Sequence, residues 1–280
     1  MENVSLLSSQ TINELCVLTE VEMLQRLESD EAVAFHLQSG GSRTRARICI
    51  NAGVQLGLPQ SDILAIAACV ELLHNASLVH DDLQDGDAYR RGNMAVWKKF
   101  GQARAICTGD AMINAAFGAL TELTQVEHVR ACLHEVHKAV AETVKGQTLD
   151  LDKSNIKDSK QYEHIAAQKS GPLFRLALAL PMVLIDRSDL LPNVNYIAAK
   201  FAIAYQILDD MQDWQTDAQN NTLNIVSILA HNSSTDEALF IAQNRVKYLL
   251  MMCKKELALL PNNCALEVVK VADKLIKCVD

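Results

Sequence analysis

The sequence predicts an all-α protein, and three observations carry that expectation. Eleven Gly and five Pro in 280 residues are too few to punctuate a turn-rich β architecture. Hydrophobic residues make up 49% of the chain, enough for a substantial core. Long apolar stretches recur at helical rather than alternating spacing. No stretch is poor enough in apolar residues to serve as a linker, so residues 1–280 read as one domain. About ten helices around a central cavity are expected.

Taken in order, apolar residues fall at Ile12, Leu15, Val17, Leu18, Val21, Leu24 and Leu27, an amphipathic scaffold helix with a mostly acidic outer face. Gly40-Gly41 breaks the helix. Ser42-Arg43-Thr44-Arg45-Ala46-Arg47 then presents three arginines at alternate positions. Residues 62–80 form a nearly continuous apolar helix, interrupted by Glu71, His74 and Asn75, which delivers an acid cluster at its end.

That cluster lies in L-V-H-D-D-L-Q-D-G-D-A-Y-R-R-G, Leu78 to Gly92. On a helix Asp81 and Asp85 are i and i+4, and Asp82 and Asp85 are i and i+3, so three carboxylates are expected on one face. Like charges so close repel, and a cation is expected between them. All-oxygen ligands suit Mg²⁺, which takes one or two carboxylates, keeps waters and fills its other positions with phosphate oxygens. Arg90 and Arg91 follow at once, and a guanidinium fork matches phosphate geometry. The stretch reads as a holder for a metal-complexed diphosphate. His74 lies two helical turns below Asp81 on roughly the same face.

Residues 101–120 and 128–144 read as two further helices, the first rich in Ala and Gly for close packing. Gly146-Gln147 closes the second, and Asp150, Asp152 and Lys153 open a polar loop to about Ser159. The helical period resumes from Gln161 to Leu180, with a kink or junction expected at Gly171-Pro172. Lys169, just before it, is a further candidate phosphate ligand. Tyr205 to Trp214 reads Y-Q-I-L-D-D-M-Q-D-W, so Asp209, Asp210 and Asp213 repeat the spacing of the first triad, and Gln206 precedes them by one turn. Two triads facing across a cavity would hold several Mg²⁺ around one diphosphate. Thr216 to Leu223 reads as a polar loop, and residues 224–230, 236–260 and 264–280 as closing helices.

Composition excludes other classes. A net charge of −8 and a pI near 5.5 argue against a nucleic-acid partner. Eight cysteines without a C-x-x-C pair read as buried thiols of a reducing compartment. The N-terminus carries Glu2, Glu14, Glu20 and Glu22 instead of a basic segment before an apolar one. The longest apolar run considered, Leu173 to Ile185, contains Arg175 and Pro181, so no transmembrane segment is expected. A cytoplasmic protein is expected.

The motifs G-G-x-R, E-L-L-H-x-x-S-L-V-H-D-D-x-x-D, R-R-G, K-F-G-x-A-x-A-I-x-x-G-D, G-Q-x-L-D-L, K-[ST]-G-x-L-F and Q-I-L-D-D-x-x-D occur in order along the chain. In this it resembles the trans-isoprenyl diphosphate synthases, the family of farnesyl and geranylgeranyl diphosphate synthases. The resemblance implies the isoprenoid synthase fold and a homodimer. It implies that Asp81, Asp82, Asp85, Asp209, Asp210 and Asp213 bind Mg²⁺, three ions per site, bridging to an allylic prenyl diphosphate. Arg90 and Lys169 would touch that diphosphate, with Gln206 in support. Arg43, His74 and Arg91 match residues holding isopentenyl diphosphate. Asp81, Asp82, Asp209, Arg90 and Lys169 would drive ionisation of the allylic C–O bond.

Product length in this family is set just before the first triad. There Ala76 and Ser77 are small, which leans towards C20 or longer unless Leu72, Leu73, Met112 or Phe117 closes the space. Three departures stand out. Ser42 replaces the lysine of G-G-K-R, with Arg45 as a candidate substitute. The stretch Q-T-D-A-Q-N-N-T-L-N lacks the usual G-K, and the end K-L-I-K-C-V-D lacks a basic tail. These departures leave open a same-fold enzyme that ionises an allylic diphosphate and couples it head to head, cyclises it or transfers it to another acceptor.

Overall fold

The computed structural model describes residues 2–28, 30–152, 156, 158–220, 223–231 and 233–279, with the side chains of 2–10 and 220 left aside. Lys153 and the Asn221-Thr222 pair of the expected loops lie outside these residues. The helices are α1 (Glu2–Arg26), α2 (Glu31–Gln38), α3 (Thr44–Gln55), α4 (Gln60–Asp85), α5 (Val96–Phe100) and α6 (Gln102–Ala119). They continue as α7 (Val126–Leu151), α8 (Ser159–Leu184), α9 (Leu191–Asn220), α10 (Ile225–Ala230), α11 (Thr235–Leu257) and α12 (Leu266–Lys277). All-α is therefore correct, with twelve helices among the described residues in place of about ten. The R-R-G segment adds a feature that periodicity did not anticipate, a hairpin of β1 (Tyr89–Arg90) and β2 (Asn93–Met94).

The chain forms two compact units, one of Met1–Val136 with Leu180–Asp186, the other of His137–Ala179 with Arg187–Asp280. The first is organised on α4, against which α6, α3 and α1 pack. Ile66, Cys69, Val70 and Leu72 are fully buried there. Contrary to expectation, an apolar run does reach bilayer-spanning length: α4 qualifies by length and composition, but 72% of that window is buried inside the protein, which makes it a core helix. Its polar interruptions are satisfied internally, Asp62 by Thr124 and Glu71 by the Ala46 N–H. Gly86 at φ 75° ends α4 just past the first triad. Asp30 separates α1 from α2 by capping α2 through Ala32 and Val33 N–H. On α1, Val17, Leu18 and Val21 prove exposed, whereas Thr19 and Met23 take the inner positions.

The second unit is built on α9 against α11, with α10 and α12 packed on α11. Phe174 of α8 stacks on Phe201 of α9 at 4.4 Å between ring centroids. Two expectations fail here. The helix does not break at Gly171-Pro172: α8 runs unbroken to Leu184, because Leu176 to Leu180 and Met182 are buried all round. Burial of that run outweighs the hydrogen bond lost at Pro172. Likewise Thr216 to Asn220 is no loop but the last turn of α9. Asn224 then starts α10 by accepting the Val226 N–H at 2.8 Å.

Candidate active site

In the first unit the triad does not share one face. Successive helical residues turn by about 100°, so Asp81 and Asp85 point together while Asp82 is rotated inward. Asp82 is 1% exposed, Asp85 exposed and Asp81 intermediate. The β1–β2 turn returns Arg90 to Asp82, whose Oδ1 accepts from Nε at 2.6 Å and meets the second guanidinium nitrogen at 2.5 Å. Burial pushes the Asp82 carboxyl up, and Arg90 opposes that. The other oxygen, Oδ2, is buried with no partner among the described residues, an uncompensated site in a place where water is scarce.

Beside it lies a cationic cluster centred on the Gly40-Gly41 turn. Arg91 donates to the Gly40 carbonyl. Its guanidinium fills the place of a side chain on Gly41, where a Cβ would lie 2.5 Å from a guanidinium nitrogen. Only glycine allows that approach. Arg43, in the left-handed region at φ 48°, donates Nε to Glu20 at 2.7 Å and a terminal nitrogen to the Leu37 carbonyl at 3.0 Å. His74 sits 3.1 Å from Arg45. Burial first, then Arg45, Arg91, His36 and Arg90, hold its imidazole well below its usual range, so it is neutral and accepts from Arg45. Ser42 is turned to Thr44 at 2.6 Å. Arg43, His74, Arg45 and Arg91 thus lie in one unit around the Gly40-Gly41 turn, and Arg43 is also tied into ion pairs with Glu20 and Glu71.

Ala76 on α4 is 1% exposed, Leu72, Leu73 and Met112 are buried on α4 and α6, and Ser77 and Phe117 are intermediate.

In the second unit a pocket of about 180 Å³ is lined by Asp150, Tyr162, Lys169, Gln206, Asp209, Asp210, Asp213 and Asp217, among others. The second triad repeats the geometry of the first. Asp209 and Asp213 are exposed and Asp210 is 5% exposed. Here neutral donors replace arginine: Tyr162 Oη and the Ile225 N–H donate to Asp210 Oδ2, each at 2.8 Å, and Gln206 Nε2 donates to Oδ1 at 3.0 Å. Burial, then Asp210 and Asp213, push the Asp209 carboxyl up to about 6. Lys169 is aimed by close helix packing. A Cβ at Gly146 would lie 2.4 Å from the backbone of Gln168 and Lys169, and this contact of α7 with α8 brings Lys169 Nζ to 2.6 Å from Asp150.

Sequence reading missed Tyr162 and Asp217. Asp217 continues the i, i+4 row from Asp213 and was hidden by ending the helix too early. Nothing in the spacing of Tyr162 distinguishes it.

Among the described residues no three Asp, Glu, His or Cys side chains close around one point. The buried Asp82 Oδ2, beside outward Asp81 and Asp85, is the kind of oxygen donor that a hard cation takes. Each triad sets two outward carboxylates beside a buried one on an all-α frame, with Arg90 at the first and Lys169 lining the pocket of the second. The chain belongs to the polyprenyl synthetase family, whose profile matches residues 28–240.

Among its relatives, the geranylgeranyl diphosphate synthase of Methanosarcina mazei is 31% identical over 206 residues, 72% of this chain and 62% of that protein. The farnesyl diphosphate synthase of Micrococcus luteus is 29% identical over 212 residues, 73% of each. The match thus spans less than two thirds of the first of these relatives. Among solved structures, decaprenyl diphosphate synthase from Rhodobacter capsulatus superposes with a TM-score of 0.86 at 19% identity, over 98% of both chains. Geranylgeranyl pyrophosphate synthetase from Pyrococcus horikoshii gives 0.86 at 21% identity, over 98% and 99%. They establish the fold.

Proposed function

We propose that this protein is a trans-prenyltransferase that condenses an allylic prenyl diphosphate with isopentenyl diphosphate into a longer trans-prenyl diphosphate. One observation carries the reading: two D-D-x-x-D triads, one at the end of α4 and one within α9, share a geometry in which the middle aspartate is held inward and the outer pair presented. Membership of the polyprenyl synthetase family agrees with it.

In this reading Asp81, Asp82 and Asp85 of α4 and Asp209, Asp210 and Asp213 of α9 would hold Mg²⁺, with Asp82 braced by Arg90 and Asp210 by Tyr162 and Gln206. Bound Mg²⁺ supplies electrostatic stabilisation of the departing diphosphate. Lys169, now against Asp150, is the cation available to a diphosphate at the second triad, and Arg90, against Asp82, the one at the first. Arg43, Arg91 and neutral His74 bind isopentenyl diphosphate, with Arg45 supplying the charge absent at Ser42. Loss of the allylic C–O bond is followed by attack of the isopentenyl double bond and loss of a proton.

The test is direct. With Mg²⁺, the protein is incubated with C10, C15 and C20 allylic diphosphates, with and without millimolar isopentenyl diphosphate. Products longer than the input are expected only when isopentenyl diphosphate is present. Diphosphate release from the allylic substrate alone, with no longer product, would overturn the reading in favour of transfer to another acceptor. A reducing compartment such as the cytoplasm belongs to this reading, and it rests on eight cysteines without a C-x-x-C pair.

A further inference from the structure

Tyr162 belongs to neither triad, yet its hydroxyl is spent wholly on one of them. The residue is 6% exposed, and a phenol hydroxyl is a neutral donor at neutral pH. The 2.8 Å bond to Asp210 Oδ2 joins α8 to α9. The Ile225 N–H on the same oxygen joins α9 to α10. From the other side Asn224, fully buried, donates to the Asp210 carbonyl at 2.7 Å and to Asp217 Oδ2 at 2.8 Å while capping α10. Three helices therefore meet on one aspartate.

The two triads are braced by opposite means. Asp82 is held by a cation, Arg90, which cancels its charge. Asp210 is held by neutral donors, which leave its charge in place beside Asp209 and Asp213. A neutral brace costs nothing in attraction for a cation. It also fixes the rotation of α9 about its axis, and with it the direction in which Asp209 and Asp213 face.

We propose that Tyr162 is a positioning residue of the second triad, acting through Asp210 to set the cation affinity of Asp209 and Asp213 when diphosphate is bound. This rests on the reading of that triad as a metal–diphosphate site and adds to it a residue outside the aspartates.

The experiment uses the full chain with Mn²⁺ and inorganic pyrophosphate, titrated by electron paramagnetic resonance, with the thermal midpoint recorded for each variant. Tyr162→Phe removes one neutral hydrogen bond and is expected to weaken Mn²⁺ binding in the presence of pyrophosphate by about three- to tenfold. Asp210→Asn is expected to weaken it as well, and the double variant no further than Asp210→Asn alone, because both act on one path. Asn224→Ser keeps a cap for α10 but loses the amide donor, and it is expected to weaken binding in the same direction. It answers the question if Tyr162→Phe does not fold. A merely structural tyrosine would lower the midpoint and leave Mn²⁺ affinity at the wild-type value, and that result, or effects that multiply in the double variant, would overturn the proposal. Wild-type protein that binds Mn²⁺ and pyrophosphate yet lengthens no prenyl chain would instead defeat the elongation reading and leave this one standing.

Discussion

At the scale of single residues the charge state of buried groups makes opposite predictions for acid and base. Asp209 has a folded-state pKa of about 6, above its usual 3.8. Its charged form is disfavoured by folding, so stability falls as pH rises from about 4 through about 6. Without divalent cation, Asp209→Asn should therefore raise the thermal midpoint at pH 7.5 and leave it unchanged at pH 4. Solvent at this exposed carboxylate limits the gain to about 1 kcal/mol. His36 behaves the other way. Burial, eased by its bond to Asn75 at 3.0 Å, depresses it to about 4. Stability is present above the unfolded value of 6.5 and is lost as pH falls towards 4, by at most roughly 3 kcal/mol. His36→Gln should flatten the acid side of a denaturation series between pH 6.5 and 4. His36 was not legible as special in the sequence, and Asp209 was legible as a triad member but not in its charge state. Spacing reveals which carboxylates are neighbours, but not that Asp82 and Asp210 turn inward, because that depends on where α4 and α9 bury their remaining faces.

At the scale of elements the decisive contacts are close approaches between helices. Gly146→Ala places a methyl group against the backbone of Gln168 and Lys169, and backbone does not yield as a side-chain tip does. The variant should lose about 1–3 kcal/mol in a denaturant series and weaken pyrophosphate binding, because Lys169 is carried on the displaced turn. On α6, Met112→Ala empties a fully buried position and costs about 2–5 kcal/mol. If that position borders the growing prenyl chain, the product distribution should shift to longer chains, read by mass spectrometry. The long helices were readable from their apolar period, whereas the short α2 and α5 were not. Nor were helix ends. Polar composition made Thr216 to Asn220 look like a loop, although Asp217 is held there by Asn224. Gly171-Pro172 looked like a break because sequence does not show how deeply Leu176 to Leu180 are buried.

At the scale of the whole molecule a chain of net charge −8 is proposed to bind anions, which requires local cations to outweigh the global field. Mg²⁺ with pyrophosphate should then stabilise the fold as a pair where neither does so fully alone. At about 100 times Kd the linkage is worth about 2.7 kcal/mol, or roughly 5 to 10 °C in the midpoint for a chain of this size. A midpoint indifferent to the pair would count against both triads at once. The fold was legible because buried periodicity extends over most of the chain, and the site because its aspartates repeat.

The apolarity of α4 also bears on how the protein is made. A ribosome extrudes Gln60–Asp85 before it has synthesised α6, so for a time this greasy segment has only α1 and α3 to shelter it. A fragment ending at Gly86 should therefore partition into bilayers or precipitate, whereas one extended through Ala119 should stay in solution. Nascent chains stalled between those two points should be caught by chaperones or the membrane-insertion machinery.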